Sequence, residues 1–382
     1  MNSSAASIAT PSATPRVITR SEHNVSRAHI SPNALRVLYR LRDGGFQAFL
    51  VGGCVRDLLL GIEPKDFDVA TDALPEQVKR LFRNCRLIGR RFRLAHVFFG
   101  REIIEVATFR AATAPSPGEE PIPVADLDDE QVPGLEEGEL EAEDAAPDVR
   151  AAAEEDSDER AFDASGRILR DNLYGTIDAD VWRRDFTCNS LYYNIADFSI
   201  WDYVNGAADV AAKTLRMIGD PETRFREDPV RMLRAARFEA KLGFSIDPAT
   251  AAPIGELREL LAGVPQARLF DETLKLFLGG HGASSFRVLR ARGLLAAILP
   301  SVDAYLASHP GSLVEKLLVQ GLKNTDARVQ ADKPVTPTFL FALLLYGPIA
   351  GIIEATPPPR PRSVSCRSCS RACRRRGCSM RP

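Results

Sequence analysis

The sequence contains no uninterrupted apolar run of 18 residues, so none of it is expected to span a membrane. Its first twenty residues are rich in Ser, Ala, Thr and Pro and carry no continuous apolar stretch. That composition argues against a secretory leader and predicts a flexible arm over residues 1–30. Cysteine is sparse through most of the chain: Cys54, Cys85 and Cys188 are scattered, as the reduced thiols of a cytoplasmic protein are. The other four, Cys366, Cys369, Cys373 and Cys378, crowd into a segment rich in Pro, Arg and Ser. That segment lacks the apolar residues and flanking strands that would order a zinc site, so no zinc is expected there.

The formal net charge of −2 conceals a segregation. Residues 119–160 hold 18 Asp/Glu with only Arg150 and Arg160 as bases, leaving 47 Lys/Arg against 33 Asp/Glu elsewhere, a net of +14. The segment from Pro357 onward carries 8 Arg and no acid, so the remaining body stands at +6. A basic body with a basic tail suits a polyanionic partner, although +6 alone is commonplace. With 382 residues and 45% apolar content, the chain can bury a core in two or three domains.

What is present is concentrated in residues 49–72. The apolar run Phe49–Val51 stops at Gly52-Gly53, and a short helical stretch follows from Val55 to Leu60. Asp66-Phe67-Asp68-Val69 then alternates polar and apolar, which predicts a half-buried strand with Asp66 and Asp68 on one face. Two carboxylates so placed are able to hold divalent cations about 3.5–4 Å apart, the spacing of in-line displacement at phosphorus. Gly52-Gly53 allow backbone N–H groups to approach a phosphate, and the Arg56 guanidinium is a fork suited to phosphate oxygens. Taken singly, a Gly-Gly pair is an ordinary turn and two Asp flanking a Phe are an ordinary solvated strand face. Their order along the chain is the specific feature.

Upstream, Ser31-Pro32 predicts a helix start. Downstream, a helix is expected over Pro75–Phe82, then strands Leu94–Phe99 and Glu102–Phe109 joined at Gly100. Arg86, Arg90, Arg91 and Arg93 interleave with apolar residues, as either a solvated turn or an RNA or triphosphate contact. Glu105, alone among Ile103, Ile104, Val106 and Ala107, calls for a paired cation or a metal. Residues 113–165 lack periodicity and read as an acidic disordered insertion. In Arg183-Arg184-Asp185-Phe186-Thr187-Cys188-Asn189, a helix would set Asp185 and Asn189 on one face to meet ribose hydroxyls, with Arg184 on a phosphate. The strand Ser199–Tyr203 with Asn205-Gly206 is expected as a hairpin closing the first domain.

A helical domain opens at Pro221. Asp228 is expected as a cap before Pro229, with Val230, Leu233, Ala236 and Ala240 as the apolar stripe. Asp228, Arg231 and Arg234 recur along another face, where a carboxylate beside a guanidinium offers the donors and acceptor for one base edge. Phe238 reads as core. Further helices are expected at Ala249–Ala262, Ala267–Leu278, Ala283–Leu299 and Leu313–Lys323, with one more apolar segment over Pro337–Tyr346.

This succession of motifs over residues 26–346 resembles the nucleotidyltransferase family that comprises bacterial poly(A) polymerases and CCA-adding enzymes. Leu81–Leu87 with Arg90–His96 is more similar to the polymerase branch. The resemblance implies an α+β fold: a head with a small mixed sheet and helices (31–112 and 166–215), then an all-α neck and partial RNA-binding body (216–355). It implies two Mg²⁺, or Mn²⁺ in their place, on Asp66, Asp68 and Glu105, with Asp185 in the catalytic set. ATP is expected on Gly52, Gly53, Arg56, Asp57, Arg184, Asn189, Asp228, Arg231, Arg234 and Arg237, the Glu227-Asp228-x-x-Arg231 motif selecting its adenine. RNA 3′ ends are the expected second substrate, with Arg90, Arg91 and Arg93 as contacts, and the chain is expected to be monomeric and cytoplasmic. CCA addition to tRNA and a catalytically silent RNA- or nucleotide-binding protein are the competing readings. Family members continue for roughly a hundred further residues, whereas here the pattern dissolves after Ala355. The expectation is that a change of reading frame replaced that region with residues 356–382.

Overall fold

The computed structural model describes residues 14–89, 93–110, 160–162, 168–171 and 174–355, the short segments 160–162 and 168–171 by strand pairing alone. Arg90 and Arg91, most of the acid-rich insertion and the cysteine-bearing tail lie outside the described residues.

The first half is built on one sheet. Its strands are β1 (Arg16–Ile18), β2 (Ala48–Val51), β3 (Asp68–Thr71), β4 (Cys85–Ile88), β5 (Leu94–Phe99) and β6 (Glu102–Thr108). After β7 (Arg160–Phe162) and β8 (Ile168–Asp171), which pair only with each other, β9 (Leu191–Asn194) and β10 (Ile200–Asp202) complete it. The order is β1-β10-β9-β2-β3-β6-β5-β4, antiparallel throughout except for the parallel pair β3 and β6. The sheet is therefore mixed, as expected. Residues 16–30, expected to be a flexible arm, instead supply the edge strand β1 and bury Val25 and Ile30, because β10 offers β1 an unpaired edge.

Both faces of the sheet are covered, which explains why β2 is apolar without alternation. Ala48 and Leu50 pack with Val37, Leu38 and Leu41 of α1 (Pro32–Asp43) and with Val55 and Leu58 of α2 (Gly53–Leu59). Phe49 and Val51 face the opposite way, onto Ile177 and Val181 of α4 (Ile177–Arg183), which follows α3 (Pro75–Leu81) in the chain. Helix α1 begins where its cap signal lies, with Ser31 Oγ accepting from Asn33 N and Ala34 N.

Three local expectations are corrected. The strand expected from Asp66 starts at Asp68, since its partner β2 ends at Val51, opposite Asp68. Phe67, between Asp66 and Asp68, is buried, while Asp66 is exposed and Asp68 half-buried. No helix spans residues 184–189: Asp185 O accepts from Ile218 N, Thr187 N donates to Arg216 O, and Phe186 bridges Met217, so tertiary pairing pulls the segment extended before a single 3₁₀ turn at Thr187–Asn189. Asn205-Gly206 is not a hairpin turn. Asn205 is left-handed, at φ 63°, and caps α5 (Gly206–Ala211).

The second half is helical. β11 (Thr214–Leu215) is followed by α6 (Pro221–Glu227), α7 (Val230–Leu242) and β12 (Ser245–Ile246), which pairs in parallel with β11. Then come α8 (Pro248–Ala251), α9 (Ile254–Leu257), α10 (Gln266–Phe277), α11 (Gly282–Ala291), α12 (Leu294–Ile298), α13 (Pro300–Ser308), α14 (Leu313–Gln330) and α15 (Pro337–Ala355). The helix expected over 283–299 is broken at Gly293, whose φ of +68° belongs to the left-handed region. By length and composition alone, the 19 residues of α15 are apolar enough to cross a bilayer, and 17% of their most apolar window is buried. Leu340, Leu344 and Gly347 are buried, while Ile349, Ile352 and Ile353 are exposed.

Candidate active site

The sheet and α7 enclose a cavity of about 620 Å³. The turn between β2 and α2 forms one wall. Gly52 has a φ of +81°, and a Cβ there would stand 3.6 Å from Asp68 Oδ2 and 3.9 Å from Arg184 Nη1. A side chain would thus be strained and would occupy the gap between a carboxylate and a guanidinium. Asp66 and Asp68 line the cavity from the start of β3. Glu105 is not among the lining residues, but it is the direct register partner of Asp68 on β6. His96 Nε2 lies 3.5 Å from Glu105 Oε2. Burial, reinforced by Glu105 and Asp66 and opposed by Arg184, pushes the Asp68 carboxyl up to about 6. Among the described residues no three His, Cys, Asp or Glu form a ready cation cage. The crowding around Asp68 is nevertheless what a bound cation would relieve, and oxygen donors suit a hard divalent ion.

Arg184, just past α4, is braced from behind. Its Nε donates to Tyr192 Oη at 2.8 Å and to Asp180 Oδ2 at 3.1 Å, and its Nη2 donates to Asp180 Oδ2 at 3.0 Å. Burial alone would lower its pKa, but Tyr192 and Asp180 hold it above the ordinary arginine value. Asp185 faces the other way: its Oδ2 accepts from Arg234 Nε at 2.7 Å and Nη2 at 2.6 Å, and its Oδ1 accepts from Phe186 N. Burial alone would raise the Asp185 pKa, yet Arg234 beside it holds the carboxyl below the usual range.

Arg56 does not stand free as a phosphate fork. It is 2% exposed, its Nη1 donates to Asn189 Oδ1, and its Nε and Nη2 donate to Asp57 Oδ1 at 2.8 and 2.7 Å. A buried guanidinium needs such partners, and they tie α2 to the Thr187–Asn189 turn. Phe238 of α7 is buried, edge-on to Phe186 at 5.7 Å, and also lines the cavity beneath Arg56, Arg234 and Arg237. Asp228 ends α6, and its Oδ1 accepts from Val230 N at 3.2 Å across Pro229, the residue at the N-cap of α7. Its carboxylate also forms a bidentate pair with Arg268, at 2.9 and 2.6 Å. Arg231 donates to Glu227 Oε2 and to Arg224 O, and Arg237 donates to Glu272 Oε1.

Gly52, Gly53, Arg56, Asp57, Asp66, Asp68, Arg184, Asp185, Asn189, Asp228, Arg231, Arg234 and Arg237 therefore meet on one cavity. Arg93 does not line it and pairs with Glu76 at 2.9 Å. Arg268, Lys65 and Lys241 are lining residues that the motifs did not single out. Lys241 was findable, since it extends the run Asp228, Arg231, Arg234, Arg237/Phe238 by one further helical step. Arg268 was not, because it comes from α10, forty residues beyond its partner.

Residues 48–216 match the family described as "Poly A polymerase head domain", and residues 243–306 match "Probable RNA and SrmB- binding site of polymerase A". Poly(A) polymerase I of Salmonella typhi is 48% identical over 333 residues, which are 87% of this chain and 64% of that protein. The Haemophilus influenzae Poly(A) polymerase I is 45% identical over 339 residues, 88% of this chain and 67% of that one. A CCA-adding enzyme of Lactobacillus helveticus is 31% identical over 255 residues, covering 67% and 52%. The chain thus spans about 64% of the length of the curated relatives first matched. Among solved structures, the Thermotoga maritima CCA-adding enzyme complexed with tRNA shares the fold, with a TM-score of 0.52 at 19% identity and coverage of 88% and 75%.

Proposed function

We propose, from the premise that this chain belongs to the poly(A) polymerase family, that it adds AMP from ATP to RNA 3′ ends without a nucleic-acid template. The observation that carries this reading is the meeting, on one cavity, of the sheet's Asp66 and Asp68 with the charged face of α7. Chemistry for phosphoryl transfer and groups able to read a base share one site. Identity of 48% to Poly(A) polymerase I against 31% to a CCA-adding enzyme favours adenylate addition over CCA addition.

The family's chemistry implies a divalent metal, and Mg²⁺ is the proposed ion, two being held by Asp66, Asp68 and Glu105. Bound there, the metal would acidify the RNA 3′-hydroxyl and neutralise charge on the triphosphate. The chain's own groups do the rest. The 3′-oxygen attacks the α-phosphorus and forms the new P–O bond. The bond from that phosphorus to the bridging oxygen breaks, pyrophosphate leaves with the electron pair, and the hydroxyl proton passes to solvent. Arg184, braced by Asp180 and Tyr192, presents Nη1 toward the Gly52 turn, where a phosphate would lie. Asn189 is held by Arg56 for the sugar. Asp228 and Arg231 meet the adenine, their present partners Arg268 and Glu227 fixing both side chains. Asp185 serves as a positioning residue, because Arg234 and the Phe186 amide occupy its carboxylate.

The test is extension of labelled oligo(A) and of a tRNA lacking its 3′ CCA, with ATP or CTP supplied separately and Mg²⁺ or Mn²⁺ present. ATP-only ladders on oligo(A) are expected. CTP incorporation followed by a single A on the tRNA would move the chain to CCA addition. ATP binding without extension of either RNA would make it a nucleotide-binding protein without transferase activity.

A further inference from the structure

Of the seven arginines that line the cavity, six make ion pairs within it or beside it. Arg56 is paired with Asp57, Arg184 with Asp180, Arg231 with Glu227, Arg234 with Asp185, Arg237 with Glu272 and Arg268 with Asp228. A guanidinium so paired has its charge compensated and its position fixed, Arg184 keeping only Nη1 for a phosphate at the Gly52 turn. Lys65 and Lys241 differ: both line the same cavity and neither has a hydrogen bond or ion pair among the described residues. Lys65 adjoins Asp66 on the loop before β3, where Glu63 also lines the cavity. Lys241 stands on the last turn of α7, one helical step beyond Arg237 and Phe238, within electrostatic reach of Asp57 and Asp66.

We infer that Lys65 and Lys241 are the triphosphate grip, their ammonium groups taking the outer, β- and γ-phosphates of the incoming nucleotide and the pyrophosphate that leaves. The assignment rests on the adenylyltransferase reading above for the identity of the nucleotide. Two properties recommend these residues. A flexible ammonium is a mobile point charge that can follow pyrophosphate outward, whereas the ion-paired arginines are held in place. Partial burial, with Arg56 and Arg237 nearby and only Asp57 and Asp66 opposing, also pushes the Lys241 pKa below the ordinary lysine value. A cation disfavoured in this way gains from a polyanion beside it.

The test is equilibrium binding of ATP and of AMP to the full chain, alongside steady-state extension with the RNA primer varied. Lys241→Met and Lys65→Met are each expected to weaken ATP binding about tenfold, or 1.4 kcal/mol, and to change AMP binding by less than about twofold. Lys241→Arg, which keeps the charge, is expected to restore most of the ATP affinity. Unchanged ATP affinity in both Met variants overturns the assignment. So does an equal loss for ATP and AMP, or a loss confined to the KM for RNA, which would give these ammoniums to the RNA backbone. A parent chain that binds ATP no more tightly than AMP overturns both this assignment and the proposed function. One that binds ATP well but extends no RNA sinks the polymerase reading alone, and the lysine comparison still decides the grip.

Discussion

Asp68 carries two opposed demands. It must be ionised to hold a cation, yet burial beside Glu105 and Asp66 pushes its carboxyl up to about 6, above the ordinary carboxylate range. A raised folded-state value means that the fold prefers the protonated acid. Without metal, stability is therefore full below the unfolded-state value and declines as pH rises through the interval up to about 6. Removing the charge should relieve this. Asp68→Asn is expected to abolish nucleotide addition and, in chelator at pH 7, to raise the thermal midpoint by a few degrees. Mg²⁺ should then stabilise the parent chain but not the variant, as differential scanning calorimetry would read directly. A lowered midpoint for Asp68→Asn in chelator would show that the carboxylate is a net stabiliser and that the crowding argument fails. The same protonation predicts that addition falls below about pH 6 and that more Mg²⁺ moves the fall to lower pH.

At the scale of elements, the question is what fixes α7 against the sheet. Asp185 and Arg234 join the segment after α4 to α7, and Arg224 donates to the Arg183 and Arg184 carbonyls from α6. Arg234→Ala would leave Asp185 buried with only an amide partner. A fully buried pair broken on one side costs about 3–5 kcal/mol, and with Arg234 a third exposed we expect on the order of 2 kcal/mol. The Asp185 pKa is depressed in the fold, so this contribution is present above the ordinary Asp value and lost as pH falls through the depressed one. Urea midpoints of parent and variant should accordingly differ at pH 7 and converge in acid. A gap that persists unchanged at low pH would assign the effect to packing instead. Elements of this kind were partly legible in the sequence. Ser31 and Asp228 announce helix starts because the hydrogen bond each accepts from a backbone N–H is local, between near neighbours. The extended course of residues 184–187 was not legible, because its partners are Arg216, Met217 and Ile218, thirty residues on. The commitment of Arg56 to Asn189 was hidden for the same reason. The residue types of the site were visible in sequence, but their mutual pairing, which among the described residues separates ion-paired arginines from Lys65 and Lys241, is a property of the fold.

For the whole molecule, the decisive quantity is the placement of charge. The 18 acids of residues 119–160 oppose a chain that is otherwise +14, and a polyanion approaching the basic body must compete with them. The ends of this stretch are held close: Arg110 bridges Tyr174, and Gly175 N donates to Phe109 O at 2.9 Å. Replacing residues 113–159 with a short Gly/Ser linker should therefore leave the sheet intact, since the cost of closing a loop changes slowly with its length. Binding of single-stranded RNA to the parent chain should weaken with salt, with a log–log slope of about −0.7 for each phosphate neutralised. The deletion variant is expected to bind RNA more tightly at low salt and to show the steeper slope. The two should converge near ~1 M salt, where the screening length falls to about 3 Å. Binding of ATP, which depends on contacts inside the cavity, should differ little between them. Parallel slopes offset by a constant factor at every salt concentration would mean that the segment obstructs RNA by its bulk and that its charge is incidental.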